Sequence, residues 1–169
     1  NLFGDADYLN HNQTSTVFSL PMKGKMMNLE DILATLQSMA EPKTLEGMHR
    51  FGIQTQTAYG ISIPQLRRLA AKIGKNHNLA QKLWETEIHE ARILAGMIAD
   101  PLQADESLLE RWVMDFNSWD LCDQCCNNLF RKSEHAWRKA SEWPHRPETF
   151  VKRAGFVLMA TLAVHDKMA

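Results

Sequence analysis

The chain lacks several things, and each absence excludes a class of protein. No apolar run approaches the roughly 20 residues needed to cross a bilayer, so no membrane-spanning helix is expected. No basic start leads into an apolar stretch and a small-residue cleavage site, so no secretory signal is expected. Only three cysteines occur, all within residues 122–126, an odd and crowded set that argues against a disulfide framework and for a reducing compartment. The expected location is cytoplasmic, or nuclear in a eukaryote. Excess charge is missing too: the net charge is −1, which sets the chain apart from strongly basic nucleic-acid binders. Sustained two-residue alternation is absent, so no significant sheet is expected.

What is present is one ordinary domain's worth of sequence. The 169 residues, 44% hydrophobic and 23% charged, suffice for a single soluble domain with a real core. Residues 1–25 are polar and aperiodic, and read as a flexible arm or foreign lead-in, with a natural start at Met26 or Met27. From there to residue 169 the chain reads as one helical domain. "NLEDILATLQSMA" carries an Asn cap, first-turn acids and apolar residues at helical spacing. Pro42 opens a second helix, and "FGIQTQTAYGISI" is a loop. Pro64 is expected at the first helical position, ahead of "QLRRLAAKIG", which Gly74 closes. "HNLAQKLWE", "EIHEARILAGMIAD", "DESLLERWVMDF", residues 116–130, "SEHAWRKASEW" and "ETFVKRAGFVLMATLAVH" supply the rest. Short helices joined by short turns, paired at intervals of very roughly 35–45 residues, predict stacked antiparallel helix pairs of the HEAT-like kind, with a plain bundle as the alternative. The last helix runs out without a cap or polar tail, so the array is expected to be truncated on its C-terminal side.

The segment "FNSWDLCDQCCNNLF" (116–130) is the densest in chemistry. Asn117 or Ser118 caps it, and Asp120 falls in the first turn, where a carboxylate suits the positive helix end. Trp119 and Asp123 are four apart and share a face. A carboxylate beside an aromatic wall is poised to meet positive charge. C-x-x-C-C offers too few ligands for a structural zinc site and lacks the strand–helix setting of a redox pair, so buried thiols are expected and no metal or other cofactor. In the last helix, Phe150, Ala154, Val157, Leu158 and Thr161 predict the apolar stripe. Lys152 and Arg153 lie early in that helix, where its dipole disfavours cations, so a carboxylate such as Asp123 or an external phosphate must compensate. The near-zero total also hides a segregation. Residues 42–75 hold Lys43, Arg50, Arg67, Arg68, Lys72 and Lys75 against Glu46 alone, while residues 85–115 hold eight acids against Arg92 and Arg111. A basic zone of this kind fits a face that meets a polyanion, and fits a solvated helix face equally.

"SWDLCDQ" followed about thirty residues later by "FVKRAGFVLMA" resembles the AlkD-type DNA alkylation repair enzymes, HEAT-like all-helical DNA glycosylases. "YGISIPQLRRLAAKI" and "HEARILAGMIAD" add to the resemblance, which covers roughly residues 42–169. It implies that Trp119 is the active-site aromatic, Asp123 the carboxylate supporting bond cleavage and Arg153 the arginine of the DNA-facing cleft. The reaction implied is hydrolysis of the N-glycosidic bond of a cationic N3- or N7-alkylated purine in duplex DNA. Lys152, Arg67, Arg68 and Lys72 are then the expected DNA-binding residues. A non-catalytic module binding DNA or a protein is the alternative, and a pure scaffold a third. The oligomeric state is left open.

Overall fold

A computed structural model describes residues 27–53 and 56–165. The expectations for residues 1–25 lie outside them. Nine α-helices and no strand are found among the described residues. α1 spans Leu29–Ser38, α2 Pro42–Arg50, α3 Ile63–Ile73, α4 His77–Glu85 and α5 His89–Ile98. α6 spans Glu106–Met114, α7 Trp119–Asn128, α8 Ala136–Glu142 and α9 Thr149–His165. None of these helices is long and apolar enough to cross a membrane.

The helix ends follow from local chemistry. Asn28 caps α1: its side chain accepts from Asp31 N at 2.8 Å, and the Asp31 carboxylate accepts from Asn28 N at 3.3 Å. α3 opens on Ser62 with Pro64 in its first turn, and ends at Gly74, whose φ of 74° stops the helix at no steric cost. Asn76 and Asp105 cap α4 and α6 through side-chain oxygens that accept from Leu79 N and Leu108 N.

The helices pack in two rows. α3, α5, α7 and α9 lie side by side, each against the next, with α4 backing α5 while α6 and α8 back α9. Side chains link the second row. Trp84 of α4 stacks on Trp112 of α6 with ring centroids 4.0 Å apart and planes 1° from parallel. Phe116 and Phe130 continue the aromatic series to Trp143. Between α6 and α8 the link is ionic. The Lys139 ammonium, its side chain only 3% exposed, lies 2.7, 2.7 and 2.8 Å from carboxylate oxygens of Glu106, Glu110 and Glu142. Burial alone would lower the Lys139 pKa, but those three carboxylates push it above its ordinary value. Hydrogen bonds from Arg138 and Lys139 in turn hold the Glu106 carboxyl down at about 2.

One expectation is corrected. The buried stripe of α9 is Val151, Ala154, Gly155, Leu158 and Leu162, whereas Phe150, Val157 and Thr161 are only partly buried. Ala154 and Leu158 stand as expected and Phe150 and Val157 still pack against the core, while the tightest approach of α9 is at Gly155. A Cβ there would lie 2.4 Å from the Pro144 ring, so α9 closes onto the turn at Trp143–His145 through a residue with no side chain to reveal the face.

Candidate functional site

α7 is the middle of the site, and its own residues divide into an inner and an outer face. On the inner side Leu121, Cys122, Cys125 and Cys126 are fully buried. Cys122 Sγ and Cys126 Sγ approach the carbonyls of Phe150 and Ala154 on α9, each at 3.8 Å. Cys125 packs where a Cβ on Gly96 of α5 would come within 3.1 Å of its sulfur. The thiols are thus small spacers that let α7 sit close to both neighbours, and all three are free. Burial pushes the Cys125 and Cys126 pKa values up, away from reactive thiolate.

The N-terminus of α7 is pinned from below. Ser118 occupies the cap position, although its side chain makes no capping hydrogen bond. Asp120 has a role beyond facing the helix dipole: its Oδ2 lies 2.8 Å from Nε2 of His89, whose side chain is 1% exposed at the start of α5. Burial works to raise the Asp120 pKa, and the His89 contact outweighs it, leaving the carboxyl below its ordinary value.

On the outer face stand Trp119 and, one turn on, Asp123. Trp119 is 39% exposed, and its indole Nε1–H donates to the Phe51 carbonyl at 3.0 Å. Asp123 receives two parallel hydrogen bonds from Arg153 of α9, Nε to Oδ1 at 2.9 Å and Nη2 to Oδ2 at 2.8 Å. The pair is neither sealed nor fully solvated, with side chains 27% exposed for Asp123 and 41% for Arg153. Asp123 raises the pKa of the guanidinium. Of the two compensations open for the early cations of α9, the structure therefore uses the carboxylate for Arg153. Lys152, next in the chain, is exposed, with no carboxylate within 4 Å among the described residues. Arg67, Arg68 and Lys72 are exposed on α3, in the same row of helices but separated from α7 by α5. So Asp123 and Arg153 pair across α7 and α9, Trp119 stands one helical turn before Asp123 on α7, Lys152 is the exposed chain neighbour of Arg153, and the α3 cations lie on a helix that α5 separates from α7.

The site is open. The hollows lined by Pro101–Asp105 with Lys132 and Glu134, and by Arg131, Trp137 and His165, share no residue with it. A cation-holding cluster lies elsewhere as well: Glu106, Glu110 and Glu142 bring oxygens within 4.8 Å of one another, but Lys139 fills the space between them. Sequence reasoning missed Phe51, His89 and Glu90, whose partners lie some 30 or more residues away along the chain. The one local signal was "IHEARIL", a helix start whose polar residues interrupt an otherwise apolar segment.

Paired helices stacked in two rows define a HEAT-like repeat fold. A solved structure described as "a new family of proteins related to the HEAT-like repeat DNA glycosylases with affinity for branched DNA structures" superposes with a TM-score of 0.72 at 23% identity. The match covers 79% of this chain and 56% of that one, so the chain spans little more than half the length of this neighbour. No curated protein matches the chain. The family model for DNA alkylation repair enzymes matches residues 32–169, and the chain belongs to that family.

Proposed function

We propose that this domain is a DNA glycosylase of alkylation repair, acting on purines made cationic by alkylation at ring N3 or N7 in duplex DNA. The observation that carries the reading is the bidentate pair of Arg153 and a half-buried Asp123 between α9 and α7, with the exposed Trp119 indole one turn before Asp123 on α7. Family membership supports it.

The chemistry asks little of the protein beyond electrostatics. An alkylated purine of this kind already carries a positive charge. When its glycosidic bond breaks, the bonding pair moves to the base and neutralises it, while cationic character passes to the sugar. Water then bonds to the anomeric carbon and releases a proton. No general acid is needed, because the leaving group is activated by its charge. The Trp119 face suits a cationic ring, a contact worth about 0.5–2 kcal/mol. Asp123 suits the developing oxocarbenium charge and can orient the attacking water.

Arg153 serves two tasks without conflict. A guanidinium has five N–H donors. Two of them hold Asp123 in a fixed rotamer, and the remaining three are free for backbone phosphates beside the lesion. Lys152 adds a second exposed cation next to it. The cations Arg67, Arg68 and Lys72 extend the contact to a more distant stretch of duplex.

The test is release of 7-methylguanine from methylated duplex by the purified chain, followed as free base. Release above the spontaneous rate is expected. Duplex binding without release would favour a second reading, a non-catalytic DNA-binding module. That reading has its own support in the branched-DNA affinity of the structural neighbour.

A further inference from the structure

Glu90 is a carboxylate in the interior, 1% exposed, in the first turn of α5. Three consecutive backbone N–H groups point at it. Tyr59 N donates to Oε2 at 2.9 Å, and Gly60 N and Ile61 N donate to Oε1 at 2.7 and 3.2 Å. Gly60, with φ 79°, turns these amides to one side, as in the concave amide arrangements that hold anions. Here the anion is the protein's own. A side chain at residue 60 is doubly excluded, since a Cβ would fall 2.4 Å from the Glu41 carbonyl.

The loop clamped in this way is the footing of α2. Glu41 N, just ahead of that helix, donates to the Tyr59 carbonyl at 2.9 Å, and Gly60 lies against Leu45. α2 has no fully buried residue of its own, and Ile53 just beyond it is buried, its N–H donating to the Met48 carbonyl at 3.0 Å. Its far end is Phe51, whose N–H closes the helix on Gly47 and Met48 and whose carbonyl accepts the Trp119 indole N–H. A continuous path of short contacts therefore runs from Glu90 through Tyr59, Gly60 and Glu41, along α2, to Phe51 and Trp119.

We infer that Glu90 is the positioning residue for Trp119: by clamping the loop at residues 59–61, it fixes the carbonyl that sets the plane of the indole. The catalytic consequence rests on the reading of Trp119 as the ring that meets the lesion, whereas the structural link does not. With the clamp loosened, the indole samples other rotamers, and only a fraction of molecules presents the ring correctly.

Glu90→Gln keeps the size and one acceptor but loses the charge and sets an amide donor against backbone donors. The Trp119 indole N–H resonance is identified among the five tryptophans in 15N-labelled protein as the one absent from Trp119→Phe. In Glu90→Gln this resonance is expected to move toward the position of a solvent-exposed indole and to exchange with water at least ~10-fold faster. An unmoved resonance with unchanged exchange overturns the inference. On methylated duplex, Glu90→Gln should slow base release ~10-fold in the wild-type background and leave the residual rate of Trp119→Phe unchanged. Equal slowing in both backgrounds marks a merely structural role and also overturns it. Glu90→Asp keeps the charge on a shorter arm, and is expected to give an intermediate resonance position. It carries the same test if the Gln variant does not fold. Should the wild-type chain release no base, the resonance alone decides the positioning claim, and the failure falls on the glycosylase reading.

Discussion

Replacing Asp123 by Asn separates catalysis from stability most sharply. Asn keeps the shape of the side chain and one acceptor, so one of the two hydrogen bonds from Arg153, at 2.9 and 2.8 Å, survives in weakened form. The other position now sets an amide donor against Nη2. In a buried site that loss would be large, but Asp123 is 27% and Arg153 41% exposed, so water screens the pair and can re-solvate the guanidinium. A stability cost of about 0.5–1 kcal/mol follows, a shift of a few degrees at most in a chain of 169 residues. The effect on bond cleavage should be much larger. A fixed charge aimed at developing transition-state charge is worth ~10²–10³ in rate. The assay is single-turnover release of 7-methylguanine from methylated duplex, with a thermal melt on the same preparation. A fall of at least ~100-fold in rate with a melting temperature within ~4 °C of wild type is expected. Release within about threefold of wild type would refute the reasoning, because Asp123 would then be only the partner that ties Arg153 to α7.

Other expectations follow from the same geometry. Arg153→Ala should weaken duplex binding and reduce the slope of log affinity against log salt by ~1, measured by fluorescence anisotropy; an unchanged slope would leave Arg153 a purely structural partner of Asp123. Trp119→Phe keeps a ring face but loses the bond to the Phe51 carbonyl at 3.0 Å, and should lose ~10-fold in release with little change in duplex affinity. Lys139→Met leaves three carboxylates facing one another, 32–45% exposed and so partly screened by water, and should lower the midpoint of chemical denaturation. The cluster also sets a pH window. Glu106 is depressed in the folded state to about 2 from an ordinary 4.5, so its stabilisation is complete above that ordinary value and is lost as pH falls toward 2. Lys139 is raised, so its stabilisation is complete below its ordinary 10.5 and is lost only as pH climbs beyond that. Denaturation midpoints should therefore decline below pH ~4.5, and Lys139→Met should flatten the decline.

How far the sequence disclosed this structure depends on the range of the interaction concerned. Caps and breakers act over a few residues, so Asn28 with Asp31, Pro64 and Gly74 placed their helix ends correctly. The four-residue spacing of Trp119 and Asp123 likewise put both on the outer face of α7. The α9 stripe was caught in part: Ala154 and Leu158 are buried as expected, while the buried line also takes in Val151, Leu162 and Gly155, the last of which contributes no hydrophobicity to a pattern. Nothing near Lys139 in the chain signals its burial, because Glu106 and Glu110 reach it from α6, some 30 residues earlier. The same holds for Glu90 and the loop at Tyr59–Ile61: a helix-start acid looks solvated when the amides that bury it lie some 30 residues away.

On the proposed reading, the seam between α7 and α9 favours positive charge on the base and sugar, with no acid to activate a leaving group. Single-turnover release of two bases from otherwise identical duplexes tests it most directly, with cationic 7-methylguanine in one and neutral hypoxanthine in the other, each compared with its spontaneous rate. Acceleration confined to the cationic base is the predicted result. Equal acceleration of both, or binding of both duplexes with no acceleration of either, would contradict it.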